Sequence, residues 1–133
     1  MGEWEIMRIL KVAPEREPEV TEISGTLESM QELVGGLIQV LYPFDEAVAL
    51  IANDEGKVMG LPLNRALRNS RTGEVYDIIA GTFFLCGAPP DSERFTSLSE
   101  EQVWRYTQMF SVPELFVNVN GKLLILPMAK VSQ

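Results

Sequence analysis

Arg65 carries the most specific chemistry in this sequence of 133 residues. It stands in Gly60-Leu-Pro-Leu-Asn-Arg-Ala-Leu67, beside a proline-bearing turn and ahead of the long apolar run from Ile78 to Gly87. A guanidinium there presents a rigid fork of five donors to a phosphate or carboxylate. The same side chain can equally serve as a structural cation paired with Asp77 or Glu74. Asn64, its neighbour, has both amide donors and an acceptor, so it can read the edge of a base or cap its own turn. Asp77 heads the apolar run, where a carboxylate needs a partner: it can orient Arg65 or meet a ligand hydroxyl. Gly81-Thr82 interrupts that run; the glycine permits close backbone approach or a bulge, and Thr82 has a hydroxyl to donate. Tyr42 and Phe44, with Phe83, Phe84 and Trp104, offer faces for stacking, worth about 1–3 kcal/mol per base, or else fill the core. Arg65, Asn64, Asp77, Thr82, Tyr42 and Phe44 are therefore the candidate residues for binding a small anionic or nucleotide-like ligand.

Other chemistry is excluded by composition. With no histidine and one cysteine, Cys86, the chain has neither His/Cys metal sites nor Ser-His or Cys-His nucleophilic machinery. Cys86 lies between Leu85 and Gly87 with no basic neighbour, which favours a buried, inert thiol and a reducing compartment. Asp45/Glu46 and Asp54/Glu55 are adjacent acidic pairs; on a strand such neighbours point opposite ways, so neither is a ready acid/base dyad, and both suit exposed turns. No Ca²⁺-loop spacing occurs. No metal, cofactor or catalytic residue is nominated, and a binding protein is expected rather than an enzyme.

The net charge of −8, from 19 acidic and 11 basic residues, repels nucleic-acid phosphates, so direct DNA or RNA binding is not expected. It leaves open an acidic interaction module, or a mimic of DNA's charge, that inhibits a basic host protein. The longest apolar run is far short of the roughly 20 residues that span a bilayer, so no membrane partner is expected. Acidic residues near the N-terminus do not suit a signal peptide, so export is not expected and a cytoplasmic location is.

The elements that must position these residues read as one domain over 1–133, with Met7 an alternative start and residues 1–6 an extension. Residues 7–13 and 19–23 alternate as a hairpin. Thr26 caps a helix that Gly35 or Gly36 ends, with Leu27, Met30, Leu33 and Val34 on its inner stripe. Residues 37–42 and 47–52 form a second strand pair. Leu63 to Leu67 suits a helical turn after Pro62. Val75 to Leu85 reads as one central strand. Ser97-Leu-Ser-Glu100 matches a capping box for a helix to about Phe110 with Val103, Trp104, Thr107 and Phe110 inside; Pro113 stops it. Asn120-Gly121 joins residues 115–119 and 122–126 in a type I′ hairpin, with a helical continuation over 114–116 as the alternative. The fold class expected is α+β: a mainly antiparallel sheet of about five to seven strands packed with two principal helices. Exposed sheet edges leave a homo-oligomer open.

These segments, met in order, resemble a known family. Met-Arg-Ile-Leu-Lys-Val at 7–12, Leu-Val-Gly-Gly-Leu-Ile-Gln-Val at 33–40 and Tyr-Pro-Phe-Asp at 42–45 match it. So do Gly-Leu-Pro-Leu-Asn-Arg-Ala-Leu at 60–67 and Asp-Ile-Ile-Ala-Gly-Thr-Phe-Phe-Leu-Cys-Gly at 77–87. Over roughly residues 7 to 110 the chain resembles the domain of unknown function 3846 family, carried by phages, plasmids and conjugative elements. The resemblance implies an accessory role in a mobile element, and no particular activity. Sequestering a host immune signalling nucleotide would be a coherent use of an Arg65 pocket in that setting.

Overall fold

The computed structural model describes residues 6–128; residues 1–5, and with them most of the extension considered above, lie outside the described residues. Nine strands and two helices follow in the order β1 (Ile6–Val12), β2 (Glu19–Ser24), α1 (Leu27–Val34), β3 (Ile38–Leu41), β4 (Val48–Asn53), β5 (Leu63–Arg68), β6 (Val75–Ala80), β7 (Phe83–Gly87), α2 (Glu100–Met109), β8 (Glu114–Val119) and β9 (Lys122–Pro127). The protein is α+β. Its main sheet is five-stranded and antiparallel, ordered β2-β1-β7-β4-β3, and two further hairpins, β5-β6 and β8-β9, form small sheets of their own.

Strands β4 and β7 are buried at every residue, which is why their sequences run apolar without alternation. One face of the sheet packs Ile9, Ile51, Phe84 and Cys86 against Met30 and Val34 of α1. The opposite face packs Leu10, Val12, Leu50, Phe83 and Leu85 against Tyr106 and Phe110 of α2 and Leu67 and Ile79 of the β5-β6 hairpin. Thr26 caps α1 by accepting from the Ser29 amide at 3.1 Å, and Gly35 takes the left-handed C′ position at φ +82°. Asn120 and Gly121 both have positive φ, as a type I′ turn requires, and strand β8 starts at Glu114 in place of a helical continuation.

Several expectations need correction, among them Leu27, expected on the inner stripe of α1 but 54% exposed. Leu63 to Leu67 is strand β5, not a helical turn; its backbone pairs with β6, and five of the six side chains leave solvent wholly or in part. Val75 to Leu85 is two strands in two sheets. Gly81, at φ +82°, swings the chain out of β6, donates its amide to the Pro62 carbonyl at 2.7 Å, and delivers it into β7 at the centre of the main sheet. The capping box belongs to Ser99 and Gln102, two residues after the expected pair. Ser97 is taken by the Arg8 amide, which donates to its hydroxyl at 2.8 Å while the Leu98 amide bonds the Arg8 carbonyl. That later start turns Tyr106 inward and leaves Trp104 67% exposed.

Among the described residues no helix is long and apolar enough to cross a membrane.

Gly81→Ala tests the strand break. A β-carbon there needs a positive φ and would sit 2.8 Å from Leu61 Cδ1. The substitution is expected to destabilise the fold by about 1–3 kcal/mol, read as a lower urea midpoint at unchanged slope.

Candidate functional site

A cleft of about 1250 Å³ opens between the loop before β4, the α2 helix, strand β5 and the β8-β9 hairpin. Its chemistry is set by a pair of adjacent residues that a regular strand would separate. The β5-β6 register passes from Leu63↔Ala80 to Arg65↔Ile79, so Asn64 is an extra residue in a bulge. Both side chains are thereby buried, Asn64 at 0% and Arg65 at 1% exposure, and they touch: Arg65 Nη1 donates to Asn64 Oδ1 at 2.8 Å. Asn64 Nδ2 donates to the carbonyls of Val12 and Gly81 at 2.9 and 2.8 Å. All of its strong sites are thus used inside the protein, and it lashes β5 to the end of β1 and to the strand break.

Arg65 reaches across to the end of α2. Its Nε and Nη2 donate to the Phe110 carbonyl at 3.3 and 2.9 Å, and Nη2 also donates to the Arg16 carbonyl at 2.6 Å. Phe110 is the C-cap of α2, whose last turn has no basic residue of its own. Arg65 therefore supplies from β5 the cation that the negative end of a helix favours. The expected pairing with Asp77 or Glu74 does not form. Burial pulls the guanidinium below its ordinary value and the Glu114 charge pushes it back up. It remains a cation with carbonyl partners, lying at the floor of the cleft.

A second bulge, where the register passes from Leu67↔Asp77 to Arg68↔Val75, makes Tyr76 the extra residue on β6. Tyr76 stands 57% exposed on the cleft wall. Glu114, at the start of β8, accepts from the Ala66 amide at 2.8 Å and from Arg68 Nη2 at 2.7 Å. One carboxylate thus occupies the open edge of β5 and holds Arg68 at the rim.

The facing wall is a cluster around Glu46. Its carboxylate accepts from Tyr106 Oη, from Arg105 Nη1 and, at 3.1 Å, from Gln102 Nε2. The Tyr106 hydroxyl holds the carboxyl below its ordinary value of 4.5, burial opposes this, and Gln102 and Arg105 add to the lowering. Tyr106 shifts upward, first through burial and then through Glu46. Phe44 packs on Tyr106 with ring centroids 4.6 Å apart, and Phe110 stands edge-on to Phe83 at 5.4 Å.

The six residues singled out from the sequence are divided by the fold. Arg65 and Phe44 line the cleft, with Asn64 directly beneath. Tyr42 is 64% exposed and lines a separate, smaller cleft with Pro89, Pro90 and Phe95. Asp77 accepts from Lys57 Nζ at 3.0 Å and from the Ile78 amide at 2.8 Å, on neither cleft. Thr82 is half-buried at the strand break and lines neither. Among the cleft residues not singled out are Glu46, Arg68, Tyr76, Arg105, Tyr106 and Glu114. Glu46 lies 60 residues from its partner Tyr106, and no local spacing signals that contact. Cys86 is buried, its thiol pushed up to about 12 by burial. Among the described residues no group of three or more His, Cys, Asp or Glu is placed to hold a metal ion.

A family model, Domain of unknown function (DUF3846), matches residues 7–111. The chain belongs to that family. The DUF3846 match contains Glu46, Arg65, Arg68 and Tyr106, whereas Glu114 and the β8-β9 hairpin follow its end. No curated protein and no solved structure matches the chain.

Two outcomes are expected. Arg65→Leu leaves the Phe110 and Arg16 carbonyls and Asn64 Oδ1 without their donors; it should cost about 3 kcal/mol or more in urea unfolding. Arg65→Lys should recover only part, because one ammonium cannot reproduce a planar fork. The lowered Glu46 carboxyl adds stability that is fully present above its unfolded value and is lost as pH falls through its folded value. Glu46→Gln should therefore be less stable than the parent at pH 7. The difference should shrink as the pH is taken below 4.5, the ordinary value, in denaturation series at stepped pH.

Proposed function

We propose that this protein binds a small anionic, nucleotide-like ligand in the Arg65 cleft without transforming it. The observation that carries this is a cleft rimmed by two half-exposed arginines, Arg68 and Arg105, over the buried Arg65 guanidinium, whose own N–H groups are taken by protein oxygens and which contributes charge rather than hydrogen bonds. Charged side chains in the lining are three acids, Asp45, Glu46 and Glu114, and three bases, Arg65, Arg68 and Arg105. A balanced cleft in a chain of net charge −8 is a place where an anion meets less repulsion. Arg68 and Arg105 each use one guanidinium nitrogen on a carboxylate, and the fork has further donors for phosphate oxygens. Tyr76, Phe44 and the edge of Phe110 supply aromatic surface for a base.

Binding is favoured over catalysis by the direction of the shifts. Glu46 is held ionised and Tyr106 protonated, so neither is poised near neutral pH as a general acid or base. In a mobile element acting in the cytoplasm of its host, such a protein would serve by sequestering a signalling nucleotide used in host defence.

The test is a melting-temperature panel of AMP, ADP-ribose and cyclic mono- and dinucleotides, with uncharged nucleosides and inorganic phosphate alongside. A ligand at 100 times its Kd stabilises by about 2.7 kcal/mol, a rise of several degrees for a domain of this size. Phosphorylated ligands should raise the melting temperature, nucleosides should not, and Arg68→Ala or Arg105→Ala should weaken the response about tenfold each. A flat panel, with no nucleotide released from freshly purified protein on denaturation, would sink the proposal.

A further inference from the structure

The β8-β9 hairpin is two-sided, and its sides differ. Glu114, Ile125 and Pro127 face the cleft, and Phe116, paired with Ile125, is half-buried with it. The alternate residues point away from the body: Leu115 opposite Leu126, Val117 opposite Leu124, and Val119 opposite Lys122. The five apolar ones are 40–46% exposed. Among the described residues, β9 pairs with β8 and with no other strand, so the hairpin has one face partly covered, at Glu114, Phe116 and Ile125 but not at Leu123, which is 45% exposed, and one bare face. A two-stranded ribbon in water is marginal unless an apolar face is covered.

We infer that this outward face is an isologous interface, and that its occupant is the same face of a second copy of the chain, packed sheet on sheet. Charge points to a second copy. In a chain of net charge −8, the face has no carboxylate and one cation, Lys122, at its end. It is thus a surface on which two copies can approach with little mutual repulsion. The edges of the main sheet contrast with it: β2 carries Glu19 and Glu22, and β3 is only four residues long, both usual ways of discouraging association. Area points the same way. The five side chains leave on the order of 400 Å² of apolar surface per copy, within the range that marks interaction patches. A two-fold contact buries that amount twice, and the surrounding rim brings the total toward a standard interface of about 1,200 Å² or more. Interleaved Leu and Val rows on each hairpin suit the roughly 10 Å spacing of packed sheets. Because the covered face supplies Glu114, Ile125 and Pro127 to the cleft, pairing the hairpins also steadies one cleft wall.

The experiment is sedimentation of the full chain from about 1 to 100 μM, a span covering ordinary homodimer affinities, together with amide hydrogen exchange of residues 114–127 at both ends of the range. A dimer is expected, with exchange of the hairpin amides slowing as concentration rises. Leu124→Glu places two carboxylates at the centre of the contact and should weaken the dimer by about 100-fold or more. Its circular dichroism and melting temperature show whether the fold is kept; if it is not, the concentration dependence of exchange in the unsubstituted protein decides alone. A wild-type chain that stays monomeric at the highest concentration overturns the inference, whatever other protein it binds. So does a dimer that Leu124→Glu leaves intact, or one whose hairpin amides exchange at a rate independent of concentration.

Discussion

A guanidinium with no solvent and no directly bonded carboxylate is the constraint around which this fold is arranged. Arg65 is held by the carbonyls of Phe110 and Arg16 and by the side-chain oxygen of Asn64. Each of those oxygens lies on a different stretch of chain: the end of α2, the turn between β1 and β2, and the bulge of β5 itself. Burying a charge is costly unless hydrogen bonds surround it. The geometry is therefore close to all-or-none, because a displaced α2 or turn would leave both the cation and a carbonyl unsatisfied. Hydrogen bonds to a charged donor are also stronger than neutral ones, roughly 1.5–3 kcal/mol each in net terms. The arginine joins elements far apart in sequence for which hydrophobic packing alone sets no fixed register.

The cleft inherits that order. Its floor is the anchored Arg65, its far wall is the Glu46 carboxylate gripped by Tyr106, Arg105 and Gln102, and its near rim is Arg68 on Glu114. Every charged group just named except Arg68 and Arg105 is largely withdrawn from water. A site so arranged has little left to order when something enters it, which is the condition under which modest contacts give useful affinity. The two bulges in the β5-β6 hairpin are what produce it. One puts Asn64 and Arg65 on the same side of the strand, and the other turns Tyr76 toward the opening.

Much of the fold was legible in the residues. The α1 caps, the Asn120-Gly121 turn and the first two strand pairs all rest on short-range rules in which one residue type satisfies one backbone need. The failures share a cause. Ser97 and Ser99 both begin a plausible capping box, and the Arg8 amide, nearly ninety residues away in sequence, decides between them. From Ile78 to Leu85 the run is apolar but for Thr82, because the end of β6 and all of β7 are drawn out of water, so hydrophobicity could not mark the break at Gly81. Of the site, Arg65 and Phe44 were legible as an unusual cation and a stacking candidate. Glu46 and Tyr106 were not, since an acidic residue in a turn and an aromatic on a helix look ordinary until they meet.

The sequence by itself determined the class of fold, the membership of the family and the absence of histidine chemistry, because composition, periodicity and local motifs suffice for these. It also marked Arg65 as a residue without an easy place. Tertiary structure alone decided what Arg65 does. Apart from the neighbouring Asn64 side chain its partners are backbone oxygens, and every residue has one, so no side-chain pattern can announce which of them a buried guanidinium will reach.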